Sequence, residues 1–171
     1  MIEHRLIEQM IAIINRTLSL IDKEEKVDPV FIDIMVDFVQ TYADRTHHGK
    51  EENILFKALK RKPLSPEDQQ LMRNLIYEHA VGRKITKNII AANRRYRNGD
   101  QQALATIGYG LRTLANFYPK HVEKEEKIFF PAVLRYFSEQ EEHALLDAFG
   151  ELDRKMIHEK YNDVVDALKM G

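Results

Sequence analysis

Apolar residues recur along the chain at intervals of three and four, the spacing of one face of an α-helix, and no alternating run typical of a strand occurs. The pattern predicts five helices, at about residues 2–22, 28–60, 65–98, 100–130 and 138–168. Long helices with short connections are typical of antiparallel neighbours. We therefore predict an all-α fold, in which an up-down-up-down four-helix bundle over about residues 1–131 carries an additional C-terminal helix over about 138–168. Together they are expected to form a single domain over residues 1–171.

Capping residues mark the start of three helices. Asp28 and Ser65 each precede a proline, and Ser138 precedes a glutamate-rich turn, so each side chain is placed to accept a hydrogen bond from a first-turn backbone N–H. Pro131 disfavours helical geometry in the residue before it. We therefore expect the fourth helix to end near Phe130.

Composition narrows the chemistry that is available. The chain has 171 residues, 26 Lys and Arg against 27 Asp and Glu, and no cysteine, which excludes disulfides, thiolate metal sites and cysteine nucleophiles. A net charge of −1 gives no bulk attraction to nucleic acid or to an anionic bilayer. No stretch approaches the roughly 18 apolar residues of a membrane span, and the N-terminus lacks the pattern of a signal peptide. We expect a soluble, cytoplasmic protein without nucleic-acid or membrane partners.

An internal repeat carries the polar residues of interest. Residues 47–56 and 121–130 share the pattern H-x-x-K-E-E-x-I-x-F and begin 74 residues apart. A Glu-His doublet at residues 3–4 recurs at residues 78–79, at the nearly equal offset of 75. The chain is therefore interpreted as two copies of one helical hairpin, each with a histidine on its first helix and an H-x-x-x-E pair on its second.

The spacing of these residues predicts that they meet. Residues four apart lie on one face of a helix, so the histidine and the first glutamate of each motif point in one direction. If the chain turns near residues 26, 63 and 99, antiparallel packing places the four histidines within about two residues of one height, or about 3 Å at 1.5 Å rise per residue. The predicted cluster consists of His4, His47, Glu51, His79, His121 and Glu125.

Such a cluster inside a bundle is costly unless cations neutralise the carboxylates and occupy the imidazole lone pairs. Imidazole and carboxylate without sulfur suit iron, manganese or zinc. Two six-coordinate ions offer twelve positions, of which four imidazoles, two bridging carboxylates and one bridging oxygen fill ten. This count of coordination positions predicts a binuclear metal site with two positions open to a small molecule.

The same residues carry a family resemblance. The run E-H-R-L-I-E at residues 3–8, the doublet at residues 78–79 and the two H-x-x-x-E-E-x-I motifs resemble the hemerythrin-like, HHE cation-binding domains over about residues 1–131. The resemblance implies a non-haem di-iron centre with an oxo or hydroxo bridge. The ligands that it implies are His4, His47, His79 and His121, with Glu51 and Glu125 as bridging carboxylates. The nearer comparison is the four-histidine, two-glutamate subset, because oxygen-carrying hemerythrins use five histidines and only four occur at matching places.

Three functional hypotheses follow. In the leading one, a di-iron protein binds dioxygen, nitric oxide or peroxide at an open metal position, as a carrier, store, scavenger or sensor. In the second, the same centre is an oxidoreductase that reduces nitric oxide or peroxide. In the third, the metal, such as zinc, only stabilises a helical module that docks a protein partner. The sequence leaves open whether the protein is an enzyme and which protein, if any, it binds.

Several residues near the predicted ligands have more than one interpretation. His48 is turned about 100° from His47 on an α-helix, so we expect it in an outer position or at the surface, with replacement of His47 as the alternative. Glu52 and Glu126 are expected to be solvated or salt-bridged. The remaining candidates are surface or packing histidines, His143 and His158, and tyrosines that either pack or donate a hydrogen bond near the centre, Tyr42, Tyr77 and Tyr118.

Overall fold

A computed structural model describes residues 2–169, with side chains described for residues 2–162 and for residue 165. This part of the chain forms five helices and contains no strand, which confirms the predicted all-α fold. None of its helices combines the length and apolar character needed to cross a bilayer. The helices are α1 (Ile2–Glu24), α2 (residues 29–59), α3 (Pro66–Arg97), α4 (residues 103–134) and α5 (Glu139–Lys169).

Helices α2 and α4 change their winding where they carry the repeated motif. In these stretches the backbone is π-helical, with N–H groups bonded to carbonyls five residues back instead of four, a geometry frequent at functional sites. The segments of α2 are Pro29–Phe38 (α), Val39–His48 (π), Glu51–Leu55 (π) and Phe56–Leu59 (α). Those of α4 are Ala103–Lys124 (α), Glu125–Phe129 (π) and Phe130–Leu134 (α).

The end of α4 differs from the prediction. The helix continues to Leu134 instead of ending near Phe130, although Pro131 lies within it. The proline falls in the first turn of the α-helical segment that follows the π-helical one. A missing backbone N–H is tolerated at this point because a first turn needs no donor, so the change of winding accommodates the proline.

The predicted helix starts are confirmed in detail. The Asp28 carboxylate accepts a hydrogen bond from a first-turn backbone N–H at 2.9 Å, and the Ser65 hydroxyl accepts one at 3.1 Å. Ser138 and Glu141 bond reciprocally, since each backbone N–H donates to the side chain of the other, at 2.9 and 3.4 Å. This capping box begins α5.

The bundle core is divided into two apolar clusters by a polar layer. Along each of α2, α3 and α4, residues of one cluster precede the predicted site residues and residues of the other follow them. The larger cluster includes Ile14, Ile32, Ile89 and Ile107, and the smaller includes Phe56, Leu59, Leu75 and Phe129. The predicted site therefore lies inside the bundle and not at one of its ends.

Helix α5 packs along α2 and is joined to it by ion pairs. Arg45 contacts Glu159 at 2.8 Å, and Lys50 contacts Asp153 at 2.7 Å. The apolar side chains Leu145 and Phe149 of α5 are partly buried against the smaller apolar cluster.

The tightest helix contact gives a prediction for stability. A Cβ atom at Gly110 of α4 would lie 2.4 Å from Cγ1 of the fully buried Ile89, whereas one at Gly108 would meet Ile21 at 3.9 Å, an ordinary contact. We expect Gly110→Ala to lower the free energy of unfolding by about 1–3 kcal/mol through overpacking. The matched variant Gly108→Ala is expected to raise it by up to about 1 kcal/mol through helix propensity. Urea unfolding measures both, and equal effects of the two variants would contradict the packing argument.

Candidate metal centre

All six residues of the predicted cluster are brought together in the interior of the bundle. They come from all four bundle helices, and each is at most 3% exposed to solvent. Helix α1 supplies one histidine, α3 another, and α2 and α4 each supply a histidine and a glutamate from the repeated motif. The six are His4, His47, Glu51, His79, His121 and Glu125.

Glu125 lies between two pairs of imidazoles. Its Oε2 is 3.1 Å from Nε2 of His4 and 3.6 Å from Nε2 of His47. Its Oε1 is 2.8 Å from Nε2 of His121 and 3.7 Å from Nε2 of His79. The two oxygens of one carboxylate thus face different histidine pairs, which is the arrangement needed to bridge two cations.

Several polar atoms of the cluster have no hydrogen-bond partner although they are buried. These atoms include both carboxylate oxygens of Glu51 and Glu125 and the Nε2 atoms of His79 and His121. Buried polar atoms are normally satisfied, so a set of convergent unsatisfied donors of metal-binding type fits bound cations. Three groups have ligand atoms within 4.8 Å of one another: His4, His47 and Glu125; Glu51, His79 and Glu125; and His48, His79 and His121.

Glutamates outside the cluster hold the other nitrogen of each of the four predicted imidazoles. Every Nδ1 of the four predicted histidines bonds to a glutamate from the neighbouring helix, so the bonds run around the bundle from α1 to α2, α3, α4 and back to α1. The pairs are Glu3 with His47 (3.2 Å), Glu52 with His79 (2.7 Å), Glu78 with His121 (2.8 Å) and Glu126 with His4 (2.8 Å). We call these four pairs the carboxylate ring. With Nδ1–H donating outward, Nε2 is left to face the centre.

The motif lysines complete this arrangement. Lys50 contacts Glu3, and Lys124 contacts Glu78, so each lysine pairs with the carboxylate that holds the histidine three positions before it. The sequence pattern contained the signal for the ring, because the Glu-His doublets and the second glutamate of each motif belong to the repeat. Glu52 is salt-bridged to Arg83, as predicted, whereas the contacts of Glu52 with His79 and of Glu126 with His4 were not predicted.

His48 is not at the surface. It is 1% exposed, and its ring stacks on that of His79 at a centroid distance of 3.9 Å and an interplanar angle of 9°. Its Nδ1 is 3.3 Å from an Asp44 carboxylate oxygen, and its Nε2 has no hydrogen-bond partner. The prediction assumed about 100° of rotation between neighbours. The segment Val39–His48 is π-helical, which reduces this rotation, and His48 packs against His79 of α3 and His121 of α4, so both neighbouring histidines lie in the interior.

The remaining candidates lie farther from the centre. His143 and His158 are exposed, as is Tyr77, and Tyr42 is half-buried. Tyr118 is buried with its ring 6.4 Å from that of His48. Among the described residues, none of the three tyrosines forms a hydrogen bond to the cluster.

The charges of the cluster shift its proton affinities strongly. Burial lowers the pKa of His47 and of His79, but their contacts with the Glu125 carboxylate and their hydrogen bonds to the outer carboxylates outweigh it and raise each pKa to about 10. Burial raises the pKa of Glu51, and the nearby charge of Glu125 raises it further. In His48, burial lowers the pKa well below its usual range. Without a cation, protons on His47 and His79 would therefore offset charge on the buried carboxylates.

Two cavities lie beside the cluster. An apolar one of about 380 Å³ lies between α5 and the bundle, is walled by side chains such as Phe130 and Leu145, and reaches His47 and Glu51. A more polar one of about 210 Å³ reaches His48 beside Arg83. The apolar cavity is of a size that suits small molecules.

Fold and site together define a four-helix bundle with a buried histidine and glutamate cluster positioned to hold metal cations. The family model described as Hemerythrin HHE cation binding domain matches residues 1–133, and the chain belongs to this family. This result confirms the resemblance inferred from the repeat.

The curated relatives that match are distant. They are uncharacterised proteins of Mycobacterium bovis and of Mycobacterium tuberculosis strains CDC 1551 and H37Rv, each 19% identical over 165 residues. The alignment covers 96% of this chain and 64% of each relative, so the chain spans less than two thirds of their length. No solved structure matches the chain.

The carboxylate ring gives a prediction for metal affinity. Glu52→Gln keeps the shape of the partner of His79 but removes its charge, which should weaken metal binding by about 10–100-fold. The control is Glu123→Gln, since Glu123 is exposed and pairs with Lys127. Competition with a chromophoric chelator measures both affinities. Equal affinities in the two variants would show that the ring does not tune the centre.

The raised pKa values predict proton release. A metal ion needs a neutral imidazole nitrogen, whereas His47 and His79 with pKa values of about 10 carry protons at pH 8 in the cation-free protein. Metal binding should therefore release protons at pH 8, and affinity should rise with pH until about 10. Titration calorimetry in buffers of different ionisation enthalpy counts the protons. Binding without proton release would contradict the assignment of these histidines.

Proposed function

We propose that the protein is a non-haem di-iron protein that binds dioxygen, nitric oxide or peroxide at an open metal position, as a carrier, store, scavenger or sensor. The observation that carries the proposal is the position of Glu125, whose two oxygens face two different histidine pairs. One ion would be held by His4 and His47 and the other by His79 and His121, with Glu51 and Glu125 shared between them.

The donor set supports iron with a bridging oxo or hydroxo group, although imidazole and carboxylate ligands also suit manganese and zinc. When bound, such a pair supplies an open coordination position and electrons for a small ligand. The protein supplies the orientation of the ligands and the apolar surroundings of the centre. The carboxylate ring fixes the orientation of each imidazole, and the apolar clusters on both sides exclude water from the centre.

The apolar cavity supports a small, weakly polar ligand. Its walls are largely hydrocarbon, and it ends at His47 and Glu51, two of the proposed ligands. A diatomic molecule loses little on leaving water for such a cavity, whereas an ion loses its hydration. Access through this cavity therefore favours dioxygen or nitric oxide over charged molecules.

Iron loading tests the proposal directly. We expect two irons per chain after anaerobic loading, and an ultraviolet–visible spectrum that changes on exposure to air or nitric oxide. Glu125→Ala should lower the iron content, while Glu123→Ala, a substitution at an exposed glutamate of the same helix, should not.

Measurements on the same iron-loaded protein distinguish the alternative functions. Fewer than one iron per chain would contradict the proposal. Tight binding of zinc without any redox change would favour a metal-stabilised interaction module, and sustained turnover of nitric oxide or peroxide would favour the oxidoreductase.

The cavity can be tested separately from the metal. Leu145→Trp places a large side chain in the apolar cavity, so we expect slower association of nitric oxide with an unchanged iron content. The matched control is Ala144→Trp, because Ala144 is the exposed neighbour of Leu145 on α5. Stopped-flow spectroscopy measures the rates. Identical rates in the two variants would mean that the ligand does not enter by this route.

A further inference from the structure

We propose that His48 is a further metal ligand, which coordinates through Nε2 the same ion as His79 and His121. The inference rests on the proposed function, in that the centre must hold metal. It adds a fifth imidazole to the four that the internal repeat predicts, and this fifth one comes from the position next to His47 on α2.

Its position carries the first part of the argument. Ligand atoms of His48, His79 and His121 all lie within 4.8 Å of one another, and all three side chains are buried. The ring centroid of His48 is 3.9 Å from that of His79 and 5.4 Å from that of His121. The rings of His48 and His79 are stacked at 9°, so a single ion among the three imidazoles would be reached by all of them after a rotation of one stacked ring.

Its hydrogen bonding carries the second part. Each of the four predicted histidines has Nδ1 on a carboxylate and Nε2 toward the centre, and His48 repeats this arrangement with Asp44 at 3.3 Å. Arg83 holds Asp44 at 2.7 Å, as a lysine holds the outer carboxylates of His47 and His121. An imidazole anchored in this way on one nitrogen is typical of a metal ligand.

The unpartnered nitrogen carries the third part. Nε2 of His48 is buried and has no hydrogen-bond partner among the described residues. A structural histidine in a core normally satisfies both ring nitrogens. The Nε2 atoms of His79 and His121 are equally unpartnered, and a ligand atom of His48 lies within 4.8 Å of theirs, so one cation shared by the three imidazoles would satisfy all three nitrogens.

The inference changes the number of open positions. With five imidazoles, eleven of the twelve positions of two six-coordinate ions are filled instead of ten. The remaining one lies on the ion of His4 and His47, which is the side that the apolar cavity reaches. The two ions would therefore differ in coordination.

His48 also borders the polar cavity beside Arg83, so the competing role is a hydrogen bond to a molecule in that cavity without coordination. Counting the metal-bound imidazoles distinguishes coordination by His48 from a hydrogen bond to a molecule in the cavity. In the full chain loaded with Co²⁺, each coordinated imidazole whose Nδ1–H is held by a carboxylate gives one strongly shifted, exchangeable proton signal in the NMR spectrum. We expect five such signals.

Three variants test the assignment of the signals. His48→Gln and His121→Gln should each lose one signal, and His143→Gln, a substitution at an exposed histidine of α5, should lose none. Four signals in the unsubstituted protein, or five that persist in His48→Gln, would overturn the role of His48 and leave the proposed function standing. Absence of Co²⁺ binding would overturn both. If His48→Gln does not fold, the count in the unsubstituted protein still decides.

Discussion

The interior of this bundle tolerates a dense group of ionisable side chains because every predicted imidazole is bonded on its outer nitrogen to a carboxylate of the next helix. Buried charges are stable only when they are paired and hydrogen-bonded. The ring closes on itself, so each of the four helices both gives a carboxylate to one neighbour and receives one from the other. The centre depends on this circular pairing, since it turns all four inner nitrogens toward the same point.

The ring also fixes the register of the helices. Apolar contacts are non-directional, and the two apolar clusters would tolerate small shifts of one helix along another. A shift by one turn, about 5.4 Å, would separate Glu3 from His47 and leave both without their partners in the interior. Burial of apolar side chains thus supplies the driving force, and the polar layer between the clusters selects one alignment.

The sequence predicted the fold and the six inner residues because both follow from periodicity and repeat spacing. Neither depends on placing the helix boundaries more accurately than about two residues. It did not predict which glutamate meets which histidine, because that depends on the order and rotation of neighbouring helices. The burial of His48 was missed for a different reason. His48 lies against His79 of α3 and His121 of α4, so the face of α2 next to that of His47 is also covered by the bundle, which the periodicity of α2 alone does not reveal. The continuation of α4 past Pro131 was missed because it depends on the change of winding before the proline.

Helix α5 lies beyond the residues that the family model matches, yet it is connected to the centre. Lys50 contacts both Glu3 of the carboxylate ring and Asp153 of α5. The same helix forms one wall of the apolar cavity that ends at His47. Any movement of α5 would therefore change both the path to the centre and the ion pairing of Glu3, the carboxylate that orients His47. Access and imidazole orientation are coupled through one lysine, which makes the segment outside the family match part of the site's chemistry.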